Sequence, residues 1–127
     1  MEVLNIPMTA SSPLVRFEPE SCTLRIEGES YPENSFEFYE PILTWLKDAL
    51  ASLDSLCLDI DVSYMNSSST KCMLDLLDTM EEAAAQGKRL SVVWRYDPEN
   101  PRALDLAEEF KEEVSFEFRI LPQERTP

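Results

Sequence analysis

Four hydroxyl residues in a row, Ser67-Ser68-Ser69-Thr70, follow Asn66 and precede Lys71. They stand between a strand-like alternation, Leu56 to Val62, and a helix-like run from Cys72 to Gln86. A helix start presents unpaired N–H groups and the positive end of the helix dipole, so an anion is favoured there. A phosphoryl group carried by one of these hydroxyls would sit in such a place. Serine at a helix start is equally a plain N-cap, worth roughly 0.5–2 kcal/mol over alanine. The residue types thus allow a modified switch, a simple cap, or both. Lys71 is placed to pair with a phosphate or to be solvated on the first turn.

Other chemistry is poorly supplied. The chain has no histidine, which removes the commonest general base, the Ser-His and Cys-His nucleophile pairs and most zinc sites. Its two glycines, Gly28 and Gly87, lie far apart and build no phosphate loop or dinucleotide fingerprint. Cys22, Cys57 and Cys72 lack metal-ligand spacing and fall in apolar segments, so we expect buried free thiols. Asp59 and Asp61 share one face of a strand, but no partner set for a magnesium site accompanies them. A polar sheet face or edge is the expected reading. We therefore expect no catalytic residues, no metal and no cofactor.

The formal charge of −14, from 25 acidic and 11 basic residues, argues against nucleic acid and anionic membrane surfaces as partners. It suits docking onto a basic protein surface, or simple solubility. No apolar run reaches the roughly 18 residues of a membrane helix. The start, Met1-Glu2-Val3-Leu4-Asn5, has neither the basic nor the apolar part of a signal peptide. The expectation is a cytoplasmic protein.

The elements that must position the hydroxyl run follow from periodicity. Short strands are expected at 2–6 and 14–17, and an alternating strand at 22–27, broken by turn residues from Glu27 to Pro32. Asn34 with Glu37 reads as a capping box opening a helix, whose apolar face is Phe38, Ile42, Trp45, Leu46 and Leu50. Pro41 implies either a kink or a later start, near Tyr39 to Pro41. Next come the strand at 56–62 and a helix from about Ser68 to Gln86, with Met73, Leu76, Leu77, Met80 and Ala84 inward and Gly87 as its stop. A strand follows at 89–96, then a loop with Asn100 as cap and Pro101 as first helical residue. The last helix has Ala103, Leu104, Ala107 and Phe110 inward, and Phe116, Phe118 and Ile120 alternate in the final strand. Trp45 and Trp94 are expected in the core. Tyr31, Pro32, Glu33 and Asn34 form a loop into the first helix, readable as turn chemistry or as docking surface. The whole is one α/β domain over residues 1–127, with a frayed tail at about 122–127. Its mixed, mostly parallel sheet has about five or six strands, and its three helices lie largely on one face.

This order, with hydroxyls opening the helix after the central strand, resembles the STAS domain of anti-sigma-factor antagonists. It departs from that pattern where Asn66 replaces Asp and Ser69 replaces Gly. A closer resemblance is to the SiaC family of bacterial biofilm regulation phosphoproteins, a STAS-like group. It is carried by Gly28-Glu29-Ser30-Tyr31-Pro32-Glu33-Asn34-Ser35, by Tyr64 to Lys71 and by Leu106-Ala107-Glu108-Glu109-Phe110, and extends over nearly the whole chain. The resemblance implies a non-catalytic switch, modified by a serine/threonine kinase and reset by a PP2C-type phosphatase. Its unphosphorylated form would bind and activate a diguanylate cyclase. The modified residue follows the turn's Asn, which is Ser67 here, with Ser68, Ser69 and Thr70 as fallbacks. Tyr31, Pro32, Glu33, Asn34, Asn66, Ser67, Ser68 and Lys71 would form the docking surface. The alternative is a constitutive STAS-like module, or an anti-sigma-factor antagonist without a cyclic di-GMP role.

Overall fold

A computed structural model describes residues 4–123. The elements are β1 (Asn5–Ile6), β2 (Leu14–Glu18), β3 (Thr23–Ser30), α1 (Ser35–Ser52), β4 (Ser55–Met65), α2 (Ser67–Ala85), β5 (Arg89–Tyr96), α3 (Ala103–Lys111) and β6 (Glu117–Pro122). The six strands form one sheet in sequence order. β1, β2 and β3 pair antiparallel, because turns join them; β3 to β6 pair parallel, because each connection carries a helix. Among the described residues no helix is long and apolar enough to cross a membrane.

Period-2 alternation divides the strands between two environments. Val15, Phe17, Leu24, Ile26, Leu58, Ile60, Val92, Trp94 and Phe118 join one core with Ile42, Leu46, Met73, Leu76, Leu77, Met80 and Phe110 of the three helices. Trp45 and Trp94 both lie in this core, Trp94 stacked on Phe110 at 4.6 Å between ring centroids. The intervening residues form a polar face, with Arg16, Arg25, Asp59, Val93 and Arg119 in register across five strands. Asp59 accepts from Arg25 at 3.1 Å and from Arg95 at 3.0 and 3.2 Å. Its hydrogen bond holds the Arg95 guanidinium above its usual pKa. β4 is central, so Asp59 and Asp61 lie on a face and not at an edge.

Several local expectations are corrected. β3 runs on to Ser30 instead of turning at Glu27, because Gly28, at φ 124°, takes up a register shift against β4. A Cβ there would lie 3.1 Å from the Met8 side chain. As the Asn34–Glu37 capping box implies, α1 starts at Ser35 with Asn34 as its cap; the alternative later start near Tyr39 to Pro41 is not adopted, and the helix continues past Pro41, whose ring is exposed. In the last turn of α2, Ala84 packs partly buried against the core as expected, and Ala83 beside it is the more deeply buried of the two. That helix ends in a Schellman arrangement, with Lys88 N–H on Ala83 O at 3.2 Å and Gly87 N–H on Ala84 O at 3.0 Å, and Gly87 at φ 97°. α3 starts two residues later than expected, with Pro101 outside it. Asn100 Oδ1 accepts from Arg102 N–H at 3.1 Å in the preceding turn. Of the thiols, only Cys72 is buried. Cys22, in a turn at φ 49°, and Cys57, on the polar face, are partly exposed. Of the expected tail, Pro122 pairs with Tyr96 and Gln123 N–H donates to Tyr96 O at 2.7 Å. Residues 124–127, and Glu2 and Val3 of the first expected strand, lie outside the described residues.

Candidate functional site

β4 extends to Met65 and α2 begins at Ser67, so one residue, Asn66, makes the turn between them. Asn66 N–H donates to Ser30 O at 3.0 Å, which ties the turn to the end of β3. Its backbone is extended, and its Oδ1 accepts from Ser69 N–H at 2.9 Å. Asn66 is thus the N-cap of α2, and the cap reading of Ser67 is corrected: Ser67 is the first helical residue and is exposed.

The four hydroxyls meet different fates because a helix turns about 100° per residue. Ser67 points out. Ser68 is partly buried, and its Oγ donates to Ser35 Oγ at 2.8 Å. Ser69 is 0% exposed, so its hydroxyl faces the interior and not solvent. Thr70 is partly buried and its hydroxyl donates back to Asn66 O at 3.1 Å. Ser69 joins a buried cluster with Ser30 at 2.8 Å and Ser35 at 3.1 Å, and Ser30 contacts the Tyr39 hydroxyl at 2.7 Å. Burial pushes the Tyr39 phenol up to about 12, against the lowering effect of its Ser30 hydrogen bond.

The loop into α1, the first turn of α1 and the end of β4 carry exposed aromatic rings. Tyr31 and Tyr64, 41% and 54% exposed, pack edge to face at 5.8 Å. Phe36, 53% exposed on the first turn of α1, carries the Lys71 ammonium 5.8 Å from its ring centre. Lys71 therefore covers Phe36 from the next turn after Ser67. Glu33 and Asn34 are exposed beside this patch and Pro32 is partly so. Beyond Tyr64, a crevice of about 540 Å³ opens at the ends of β4 and β5, lined by Met65, Trp94, Tyr96, Arg102 and Leu106 among others. The sequence reading gave no site role to Phe36, Tyr64, Ser30, Ser35 or Tyr39, although Ser30, Ser35 and Tyr64 fall in the segments that carry the family resemblance. A signal was present for Phe36, which falls outside the apolar stripe of α1.

Residues 6–123 match the family model described as SiaC family regulatory phosphoprotein. SiaC of Pseudomonas aeruginosa is 40% identical, with a TM-score of 0.89 over 97% of this chain and 100% of that one. SiaC in the crystal structure of the Pseudomonas aeruginosa diguanylate cyclase SiaD with its activator SiaC is 41% identical, with a TM-score of 0.90 over 94% of this chain and 99% of that one. An uncharacterized Pseudomonas aeruginosa protein is 42% identical over 121 residues, 94% of this chain and 96% of that protein. This chain belongs to the SiaC family of regulatory phosphoproteins.

Proposed function

We propose that this protein binds and activates a diguanylate cyclase through the surface around the starts of α1 and α2, and that phosphorylation of Ser67 releases the partner. The observation that carries this reading is an exposed hydroxyl at the first position of α2, on a chain that also exposes the rings of Tyr31, Phe36 and Tyr64 on the loop into α1, the first turn of α1 and the end of β4. Asn66 supplies the cap, so the Ser67 hydroxyl is free for another role. Exposed aromatics grouped on a rigid scaffold are the usual anchors of a protein interface. The relative SiaC, seen with the cyclase SiaD as its activator, supports a cyclase as the partner.

A serine/threonine kinase supplies the switch: Ser67 Oγ attacks the γ-phosphorus of ATP, its proton passes to the kinase base, and ADP leaves. A PP2C-type phosphatase resets it by hydrolysis. Both act in the cytoplasm. The phosphate adds about −1.5 to −2 charge. The helix start and Lys71 tolerate it within the free protein. Inside an apolar, aromatic contact it is desolvated and unpaired, and the partner is lost. The test is binding of a diguanylate cyclase to three chains. Ser67→Ala should bind like the wild type, and Ser67→Asp should bind roughly tenfold more weakly or worse. If both bind like wild type, the switch reading fails and a constitutive module remains.

A further inference from the structure

Exposure alone does not explain why Ser67 and not Ser68 should take the phosphate, because Ser68 is only partly buried and stands beside it. The difference lies in where the protons go. A hydroxyl has one proton to donate and two lone pairs to accept with. Ser30 Oγ donates to Ser69 Oγ at 2.8 Å. That proton is then committed, so in the 2.7 Å contact with Tyr39 the phenol donates. Ser35 Oγ donates to Asn66 Oδ1 at 3.4 Å. Its 3.1 Å contact with Ser69 is therefore donated by Ser69. Ser68 Oγ donates to Ser35 Oγ at 2.8 Å, with Asn66 Oδ1 also within reach at 3.2 Å.

All the protons thus run one way, from Tyr39 to Ser30 to Ser69 to Ser35 and on to Asn66 Oδ1, with Ser68 entering at Ser35. Ser35 Oγ is saturated: it accepts twice and donates once. Ser30, Ser35, Ser69 and Tyr39 are each no more than 2% exposed, so a broken link is not replaced by water. Ser67 stands outside this wire.

We infer that Ser35 is the positioning residue that confines phosphorylation to Ser67, because it holds the neighbouring Ser68 hydroxyl as a committed donor. This rests on the switch reading above and adds what selects the acceptor. To attack ATP, Ser68 Oγ must give up its 2.8 Å bond to Ser35, a handicap of roughly several-fold.

Two experiments test it. In the first, Ser67→Cys and Ser68→Cys chains are alkylated with iodoacetamide, and the modified peptides are quantified with Cys22, Cys57 and Cys72 as internal references. The thiol at 67 should react like a free one and that at 68, with its weaker S–H donor in place of the Ser68 hydroxyl at Ser35, about several-fold more slowly. Adding Ser35→Ala should speed position 68 and leave 67 unchanged, while Ser35→Thr should keep the protection. Equal rates at 67 and 68, or no response to Ser35→Ala in a chain with native circular dichroism, would overturn the inference. In the second, phosphate is mapped by peptide fragmentation on chains made in the native host. The wild type should carry it at Ser67, Ser67→Ala nowhere, and Ser35→Ala/Ser67→Ala at Ser68. Phosphate at Ser68 in Ser67→Ala alone would also overturn it. A wild type never phosphorylated in that host or by the matching kinase would remove the switch reading, and with it the selection of Ser67; the alkylation rates would still decide whether Ser35 holds Ser68.

Discussion

The two helices that frame the site start alike and end up in different roles. α1 and α2 are both capped by asparagine, and each cap oxygen accepts from the N–H three residues on, Asn34 from Glu37 at 3.1 Å and Asn66 from Ser69 at 2.9 Å. Asn34 is exposed, and its Nδ2 meets Glu37 Oε2 at 3.4 Å in water. Asn66 is partly buried, and its single Oδ1 also lies within reach of Ser35 and Ser68. One cap serves its own helix. The other also joins α1, α2 and β3, since Asn66 N–H holds Ser30 O. A local signal of the same strength therefore has different consequences according to what the fold brings against it.

Four measurements sharpen or break that contrast. The largest effect is expected for Asn66→Ala, which removes a cap and leaves the buried Ser35 hydroxyl proton without its acceptor. It should cost roughly 3 kcal/mol in urea unfolding, and a loss no greater than that of Asn34→Ala would refute the special role of Asn66. Next is alkaline pH. Tyr39 is held at about 12 against an ordinary 10, so the unfolded chain loses this proton first. Its contribution is intact below about pH 10 and is lost as pH rises towards 12, on the order of 2–3 kcal/mol. Denaturation midpoints followed through this window should fall in the wild type and fall less in Tyr39→Phe.

Asn34→Ala should cost about 1 kcal/mol, the ordinary value of an exposed cap. It should leave the Ser68→Cys alkylation rate unchanged, because Asn34 is outside the hydroxyl wire. The smallest effect is at Glu81, far from the site. Its Oε1 accepts from the Ser115 N–H and hydroxyl, both at 3.0 Å, and these bonds, the backbone one first, hold its carboxyl below the usual range. The small stabilisation is present above the unfolded pKa and is lost as pH falls through the folded one. In an NMR titration, Glu81 should move only part of the way back in Ser115→Ala, since the backbone donor remains.

Much of the fold was legible because burial imposes a period. Leu56, Leu58, Ile60 and Val62 alternate, and Met73, Leu76, Leu77 and Met80 recur at helical spacing, so strand and helix could be assigned before any tertiary contact was known. Boundaries were less legible. Gly28 reads as a turn residue, but the tertiary pairing of β3 with β4 turns it into a bulge. Pro41 allowed a kink or a later start near Tyr39 to Pro41, but the Asn34 cap and the buried stripe through Tyr39, Ile42 and Leu46 hold the start at Ser35. Asn100 and Pro101 read as a cap and first turn, but the chain spends them on the turn before α3.

The candidate site divides in the same way. Residue types and order were enough to place a hydroxyl cluster at a strand-to-helix junction, to identify Asn34 and Glu37 as a cap pair, and to exclude histidine, glycine-loop and most metal chemistry. These are properties of composition and near neighbours along the chain. Which of Ser67, Ser68, Ser69 and Thr70 faces water was decided only by the tertiary structure, because the pitch of α2 and its packing against α1 aim each hydroxyl differently. The meeting of Ser30, Ser35, Tyr39 and Ser69, through hydrogen bonds that span 9 to 39 positions, was likewise settled by the fold. Hydrogen bonds between residues distant in sequence leave no periodic trace, and they form only when parallel β3 and β4 set the starts of α1 and α2 side by side.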